Sequence, residues 1–277
     1  MSTSTDYCAT STPEAELPRL ARGWLNRTRQ TRGVVVRCLH KSASMFVYKF
    51  CKRVASDCGF QFYSANNQPA NEHLATSGLD TSFCVAPVRH FRQEEFSSFP
   101  RLDQTFQIFQ VRDPRDILVS EYFSYGWIHS DSHWNERGLK RREKLRKMTI
   151  DEYAAIHPEF APYPLEKKFQ PLLDLLDARQ QAGSKHRDLV LLKYETMVTD
   201  FPAWLKEAMK PFGFRFPRMT RSFYAKLYSH EFRTRGEQMK HKRRITPGDH
   251  QDKLQPETIS MLNERYAAIL DRFGYQR

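Results

Sequence analysis

Lys41, Ser42 and Ser44 stand close together in the polar turn His40-Lys41-Ser42-Ala43-Ser44. A β-branched run, Val34 to Val36, leads into that turn, and apolar residues at helical spacing follow it: Phe46, Val47, Phe50 and Val54. The pattern is strand, short turn, helix. An ammonium, two hydroxyls and the free N–H groups of a helix start would then converge on one point, which is suited to holding an anion. A Lys-Ser turn after a strand is also a common helix cap, so the stretch alone leaves the two readings open.

The type of anion can be narrowed. A nucleotide-triphosphate loop needs G-x-x-x-x-G-K-[ST], whose glycines let the backbone wrap the phosphates. Lys41-Ser42 supplies its last two positions, but Val35 and His40 occupy the glycine positions. Asp113 and Asp116 flank Arg115 and read as acids at a helix start rather than as a magnesium pair. The turn therefore reads as a site for a smaller anion, with no metal. A second stretch joins it: "FQVRDPRDILVSEYF", residues 109–123, where Arg112 ends an apolar run and Ser120 lies eight residues on.

The elements that must position these residues follow from the periodicity. Strands are expected at Val34–Val36, 60–64 (FQFYS), 82–88 (SFCVAPV), 105–111 (TFQIFQV) and 189–195 (LVLLKYE). Pro114 suits the first position of a helix, and Thr149-x-x-Glu152 is a capping box. KKFQPLLDLLDAR has amphipathic helical spacing, and further helices are expected near 202–211, 219–229 and 256–271. Strands alternating with helices predict a single α/β domain with a central, mainly parallel sheet flanked by helices. It would occupy 33–277, after a tail and lead-in at 1–32. Ligands of such sheets bind beyond the carboxyl ends of the strands. Lys41 and Arg112 each lie just past a strand end, so both are expected on one rim.

At these residues the chain resembles the sulfotransferases that use 3′-phosphoadenosine-5′-phosphosulfate (PAPS). His40 through Phe46 is similar to that family's P-K-S-G-T-T-W loop, which binds the 5′-phosphosulfate. Arg112, Asp116 and Ser120 match its R-x-x-x-D-x-x-x-S pattern for the 3′-phosphate with the same spacing. Tyr194-Glu195 resembles a pair lining the far side of the cofactor. RRITPGDH, 243–250, is similar to a late R-K-G-x-x-G-D-W segment, with Arg243 and Arg244 at its basic positions. The resemblance runs from about residue 33 to 255 and implies a P-loop-like sulfotransferase fold. It implies a cofactor site of Lys41, Ser42, Ala43, Ser44, Met45, Phe46, Arg112, Ser120, Tyr194, Arg243 and Arg244. Departures are Ala43 for glycine, Met45 for threonine, Phe46 for a tryptophan (still able to stack on adenine), Ile245 for glycine and His250 for tryptophan.

The implied reaction moves a sulfuryl group to a hydroxyl or nitrogen of a small-molecule acceptor. Lys41 would follow charge onto the leaving phosphate oxygen. A neutral acceptor needs a base, and the family's histidine follows the corresponding strand, which points to His90 in Val88-Arg89-His90. His40 is the rival. The chain is also similar to cyanobacterial sulfotransferases that tailor guanidinium alkaloid toxins of the saxitoxin type. That implies a bacterial enzyme of secondary metabolism and a cationic acceptor, which Glu94, Glu95 and Asp131 would face. Residues 124–147 carry Trp127, His129, His133 and Trp134 and read as a lid, an acceptor pocket or a plain surface excursion. His129 and His133 lack an evident third metal ligand.

Composition sets the outer bounds. The chain has 277 residues and a formal net charge of +12, so it must attract acidic partners. The basic stretch 239–245 would suit nucleic acid, but its place before Gly248-Asp249 favours a bisphosphate nucleotide. A small-molecule kinase and a nucleic-acid-binding protein are the alternatives. Cys8, Cys38, Cys51, Cys58 and Cys84 are odd in number and form no C-x-x-C pair, which reads as reduced thiols in a cytoplasm. No apolar run approaches transmembrane length and the N-terminus lacks signal-peptide character. A soluble cytoplasmic enzyme, without membrane or nucleic-acid partners, is the expectation. Oligomeric state is not encoded in any motif.

Overall fold

A computed structural model describes residues 33–64, 82–89, 105–129, 131–160, 164–181, 188–212, 217–229 and 245–277. Its sheet has five strands, all parallel, in the order β2-β3-β1-β4-β5. They are β1 (Gly33–Cys38), β2 (Gln61–Ser64), β3 (Phe83–Val88), β4 (Thr105–Val111) and β5 (Leu189–Lys193). Every residue of β1, β3 and β4 is buried, as a sheet covered on both faces requires.

Alternation along β4 divides the core in two. Phe106 and Ile108 face one cluster, Phe109 and Val111 the other, because successive strand side chains point to opposite faces. On the first face lie α1 (Ser44–Cys58), which packs Val47, Phe50, Cys51 and Val54 at helical spacing, and Trp204 and Tyr224 from later helices. On the second lie α2 (Pro114–Phe123), α3 (Glu136–Arg146), α4 (Ile150–Phe160) and α5 (Leu165–Gln181), with Ile117, Leu145, Tyr153 and Phe169 buried. The chain completes itself with α6 (Tyr194–Thr199), α7 (Phe201–Ala208), α8 (Pro217–Leu227), α9 (Asp249–Lys253), α10 (Pro256–Arg265) and α11 (Ala267–Phe273).

The helix starts follow the sequence chemistry. Pro114 opens α2, and the Asp113 carboxylate accepts the Arg115 N–H at 2.9 Å. The Thr149 and Glu152 side chains exchange bonds with each other's backbone N–H at the start of α4. Two expectations need correction. The segment 189–195 is strand only to Lys193; Tyr194 and Glu195 form the first turn of α6. The helix expected over 256–271 is two helices parted at Tyr266, whose φ of −101° and ψ of 14° leave the helical range. Among the described residues, no helix is long and apolar enough to cross a membrane.

Strand order places the switch point between β1 and β4. From β1 the chain crosses to the edge strand β2 and returns to β3 on one side, then passes to β4 and β5 on the other. Loops leaving β1 and β4 diverge there and open a crevice at the carboxyl edge. Lys41 and Arg112 stand at that crevice.

Candidate active site

The loop from Leu39 to Ala43 is held from below. Cys38 ends β1 opposite Gln110 of β4, and Leu39 N–H continues that ladder to the Gln110 carbonyl at 3.3 Å. Gln110 is fully buried in a strand whose every residue is covered. Its amide lies 3.4 Å from the Ser42 carbonyl, and its Oε1 accepts the Trp204 indole N–H at 2.9 Å. A polar side chain in such a strand must find partners, and these partners fix the height of the loop. Two glutamines, Gln107 and Gln110, within the strand TFQIFQV are the sequence signal for such a buried polar role.

The loop turns without glycine. Lys41 and Ala43 both have a φ of 64°, in the left-handed region. An L-residue there costs roughly 1–2 kcal/mol. Ala43→Gly should relieve this, against the greater freedom that glycine has when unfolded. The expected net gain is about 0.5 kcal/mol, measurable by urea unfolding, and a loss would show that Ala43 contributes packing that outweighs its conformation. The Ala43 carbonyl starts α1 by accepting the Val47 N–H at 3.1 Å. No side chain caps this helix and no acid stands in its first turn, so the first-turn N–H groups keep their positive end for an anion.

Around that helix start the structure brings several of the expected residues together. Ser42 is fully buried, and among the described residues its Oγ has no hydrogen-bond partner. Ser44 is buried and opens α1. Lys41 Nζ donates to Ser124 Oγ and lies 5.2 Å from the centre of the Tyr125 ring. Burial lowers the Lys41 ammonium to about 8 from its ordinary 10.5; Glu121 pulls it back up, while Arg89, Lys168 and Arg112 push it further down. It is thus poised between charged and neutral close to physiological pH. Met45 is half exposed, with Arg89 Nη2 3.1 Å from its sulfur.

Arg112 ties the second stretch to the first. Its Nη1 donates to the Lys41 carbonyl at 2.9 Å, and its guanidinium lies 4.2 Å from the centre of the Tyr194 ring. Its Nη2 is 3.6 Å from Asp116 Oδ2, and its Nε is buried without a hydrogen-bond partner. Ser120 sits half buried one turn beyond Asp116 on α2. Tyr194, expected to line the cofactor, lies under Arg112 and donates its hydroxyl to the Ile245 carbonyl at 2.8 Å.

Asp116 is more than a capping acid. Its carboxylate accepts the Gly248 N–H at 2.9 Å, the His250 N–H at 3.1 Å and His250 Nδ1–H at 2.7 Å. Burial would raise its carboxyl, but the His250 bonds and Arg112 outweigh that and hold it at about 2. Gly248 is left-handed, with a φ of 85°, which lets the segment bend into these bonds. The segment from Ile245 to His250 is thereby clasped beside Arg112. Arg243, Arg244 and His90 lie outside the described residues.

One role read from the sequence does not fit. Phe46 was expected to stack on adenine, yet its ring is buried within about 6 Å of the rings of Phe50, Phe201, Trp204 and Tyr228. It points into the core because it lies one turn before Phe50 on the buried face of α1. Only its backbone N–H remains at the helix start. His40, the rival base, is largely buried; burial first, then Arg89 and Lys41, lower its imidazole to about 3, so at neutral pH it carries no charge.

The arrangement can hold a doubly anionic ligand. One part would lie on the uncapped start of α1 beside Lys41, and the other beside Arg112 and Ser120. Among the described residues no group of three or more His, Cys, Asp and Glu side chains could hold a metal ion.

No protein-family model matches the chain, and no curated protein sequence matches it. Solved structures do. The chain is similar to the crystal structure of mouse sulfotransferase SULT7A1 complexed with PAP, at 15% identity over 87% of this chain and 84% of that one, with a TM-score of 0.58. It is also similar to retinol dehydratase in complex with androsterone and inactive cofactor PAP, at 13% identity over 87% and 81% of the two chains, with a TM-score of 0.53. At these identities the likeness establishes the fold: this chain is built on the α/β scaffold of those PAP-complexed proteins.

Proposed function

We propose that this protein is a PAPS-dependent sulfotransferase acting on a hydroxyl or nitrogen of a small-molecule acceptor. The observation that carries this reading is the rim at the β1–β4 switch point. There the Lys41 loop, the uncapped start of α1 and Arg112 are bonded into one unit, on a fold whose solved examples include PAP complexes. The donor set suits the ligand: among the described residues, a buried hydroxyl at Ser42 and an arginine edge at Arg112 Nε have no hydrogen-bond partner.

PAPS, when bound, supplies the sulfuryl group that passes to the acceptor. The chain's own residues then have distinct tasks. Ser42, Ser44 and the N–H groups of Ala43, Ser44, Met45 and Phe46 bind and orient the 5′ end. Arg112, Ser120, Arg243 and Arg244 hold the 3′-phosphate, with Tyr194 supporting Arg112. Lys41 meets the charge that grows on the departing phosphate oxygen, where a positioned cation counts most in a site sheltered from water. His90 takes the acceptor's proton.

A guanidinium alkaloid of the saxitoxin type, in a bacterial secondary pathway, is the acceptor suggested by the chain's resemblance. Of the acids that would face such a cation, Asp131 pairs with Arg142 at 3.0 Å, and Glu94 and Glu95 lie outside the described residues. Hydroxyl acceptors without charge are therefore screened alongside cationic ones.

The test is a thermal-shift series with adenosine 3′,5′-bisphosphate, ATP with magnesium, and short DNA. A ligand that binds only the native state raises the melting temperature. Stabilisation by the bisphosphate alone is expected; His90→Ala should keep that shift while losing transfer. A shift from ATP or DNA without one from the bisphosphate would instead select the kinase or the nucleic-acid reading.

A further inference from the structure

Close to Lys41 lies a buried polar cluster that takes no part in the proposed binding of the cofactor. Glu121 of α2 is 1% exposed. Its Oε1 accepts from Lys168 Nζ of α5 at 2.9 Å, and its Oε2 lies 3.3 Å from Nε2 of His157, a fully buried residue of α4. The Tyr125 hydroxyl, one turn along from Glu121, bonds to the same carboxylate. Lys41 rests on the other side of that tyrosine ring and donates to Ser124, its neighbour. Ser124 and Tyr125 open a π-helical turn, Ser124–Ile128, that continues α2. Such wide turns recur where a side chain must be presented to a site.

We propose that Glu121, clamped by Lys168 and His157 and linked through Tyr125, is a positioning residue that holds Lys41 in place and keeps it charged. A carboxylate at full burial is costly and would be replaceable by an apolar side chain if its work were packing alone. Here it sits one aromatic ring away from a half-buried ammonium. Among the described residues, the other charged groups that act on Lys41 are cations: Arg89 past β3, Arg112 past β4 and Lys168 on α5. His40, on the loop itself, is neutral, and Tyr125 is uncharged, its phenol pushed well above the ordinary range first by burial and then by Glu121. Among the described residues, Glu121 is thus the acid that opposes several cations at Lys41. It is itself secured: burial would raise its carboxyl, but His157 and Lys168 bring it down to about 2.

The catalytic consequence rests on the sulfotransferase reading, whereas the charge-holding role does not, and the experiment separates them. Trace acetylation with acetic anhydride across pH 6.5 to 10, with the Lys41 peptide read by mass spectrometry, follows the lysine without any cofactor. In Glu121→Gln the labelling midpoint should fall by about one pH unit. In Lys168→Gln it should rise, because one cation is removed while Glu121 keeps His157 and Tyr125. Opposite shifts would not come from general loosening, which moves both variants the same way. Should Glu121→Gln fail to fold, the double variant Glu121→Gln with Lys168→Gln, which leaves no buried charge of that pair unmatched, is compared with Lys168→Gln: a lower midpoint in the double variant supports the role, and equal midpoints overturn it. Unchanged midpoints in two folded variants overturn it as well. Bisphosphate binding by the unaltered protein is measured in parallel; its failure would strike the cofactor reading and leave the Lys41–Glu121 coupling standing.

Discussion

Lys41→Met should lower turnover by about a hundred- to a thousandfold, the loss typical when one group that stabilises growing charge is removed. Binding of adenosine 3′,5′-bisphosphate should weaken far less, by roughly tenfold or under. Its other contacts, Arg112 and the start of α1, remain, and the interaction lost is one made chiefly in the transition state. Stopped-time assays with a small acceptor and calorimetry with the bisphosphate give the two numbers. Equal losses in both would make Lys41 a binding residue only. The same lysine sets an alkaline limit. With the ammonium brought down to about 8 by burial, its charged fraction falls through one half near that pH. kcat/KM should therefore decline above it, since that ratio reports the free enzyme. A flat profile to pH 9 would exclude a need for charge on Lys41.

Asp116→Asn should be the most damaging substitution for stability. It removes the charge that satisfies Arg112 and His250, both buried, and breaking such a pair from one side costs about 3–5 kcal/mol. In a domain of this size that corresponds to a fall in Tm on the order of 6–10 °C. The loss should be local as well as global. Hydrogen exchange at the Gly248 and His250 amides, both bonded to this carboxylate, should rise ahead of exchange in β1 and β4. Uniform loosening across the sheet would mean that the clasp is not a separate unit. Acid should imitate the substitution. The folded carboxyl is depressed to about 2 from its usual 3.8, so its contribution is complete above pH 4 and disappears as the pH falls toward 2.

The parts of this protein that read most clearly were those governed by local rules. Val34–Val36 is a β-branched apolar run, and TFQIFQV is rich in aromatic and β-branched residues, so both read as strands. Pro114 and the Thr149–Glu152 pair announce helix starts through chemistry confined to one turn. Lys41 and Arg112 could be placed on a common rim because every parallel strand sends its carboxyl end the same way. What the sequence concealed depended on distance. Asp116 looked like a capping acid, since its partners Gly248 and His250 lie more than a hundred residues away. Phe46 looked like a base-stacking ring because the resemblance set it at a tryptophan position, although its helical spacing with Phe50 places it on the buried face. Glu121, His157 and Lys168 come from three separate helices, and no motif joins them.

The rim is also held by late parts of the chain. Arg115, just past the helix start that follows Arg112, donates to Asn263 Oδ1 at 2.6 Å and to the Gln276 carbonyl at 2.7 Å. Tyr275 donates to Glu195 at 3.1 Å, and Glu195 accepts the Asp113 N–H at 2.9 Å. During synthesis all five strands have been made once Lys193 is added. The residues that fasten the crevice emerge afterward, an interval on the order of ten seconds at ordinary ribosome speeds. The nascent chain can therefore pair its sheet while its anion crevice is still unfastened. The crevice is thus fastened by residues made after the sheet's strands, once the architecture has been laid down.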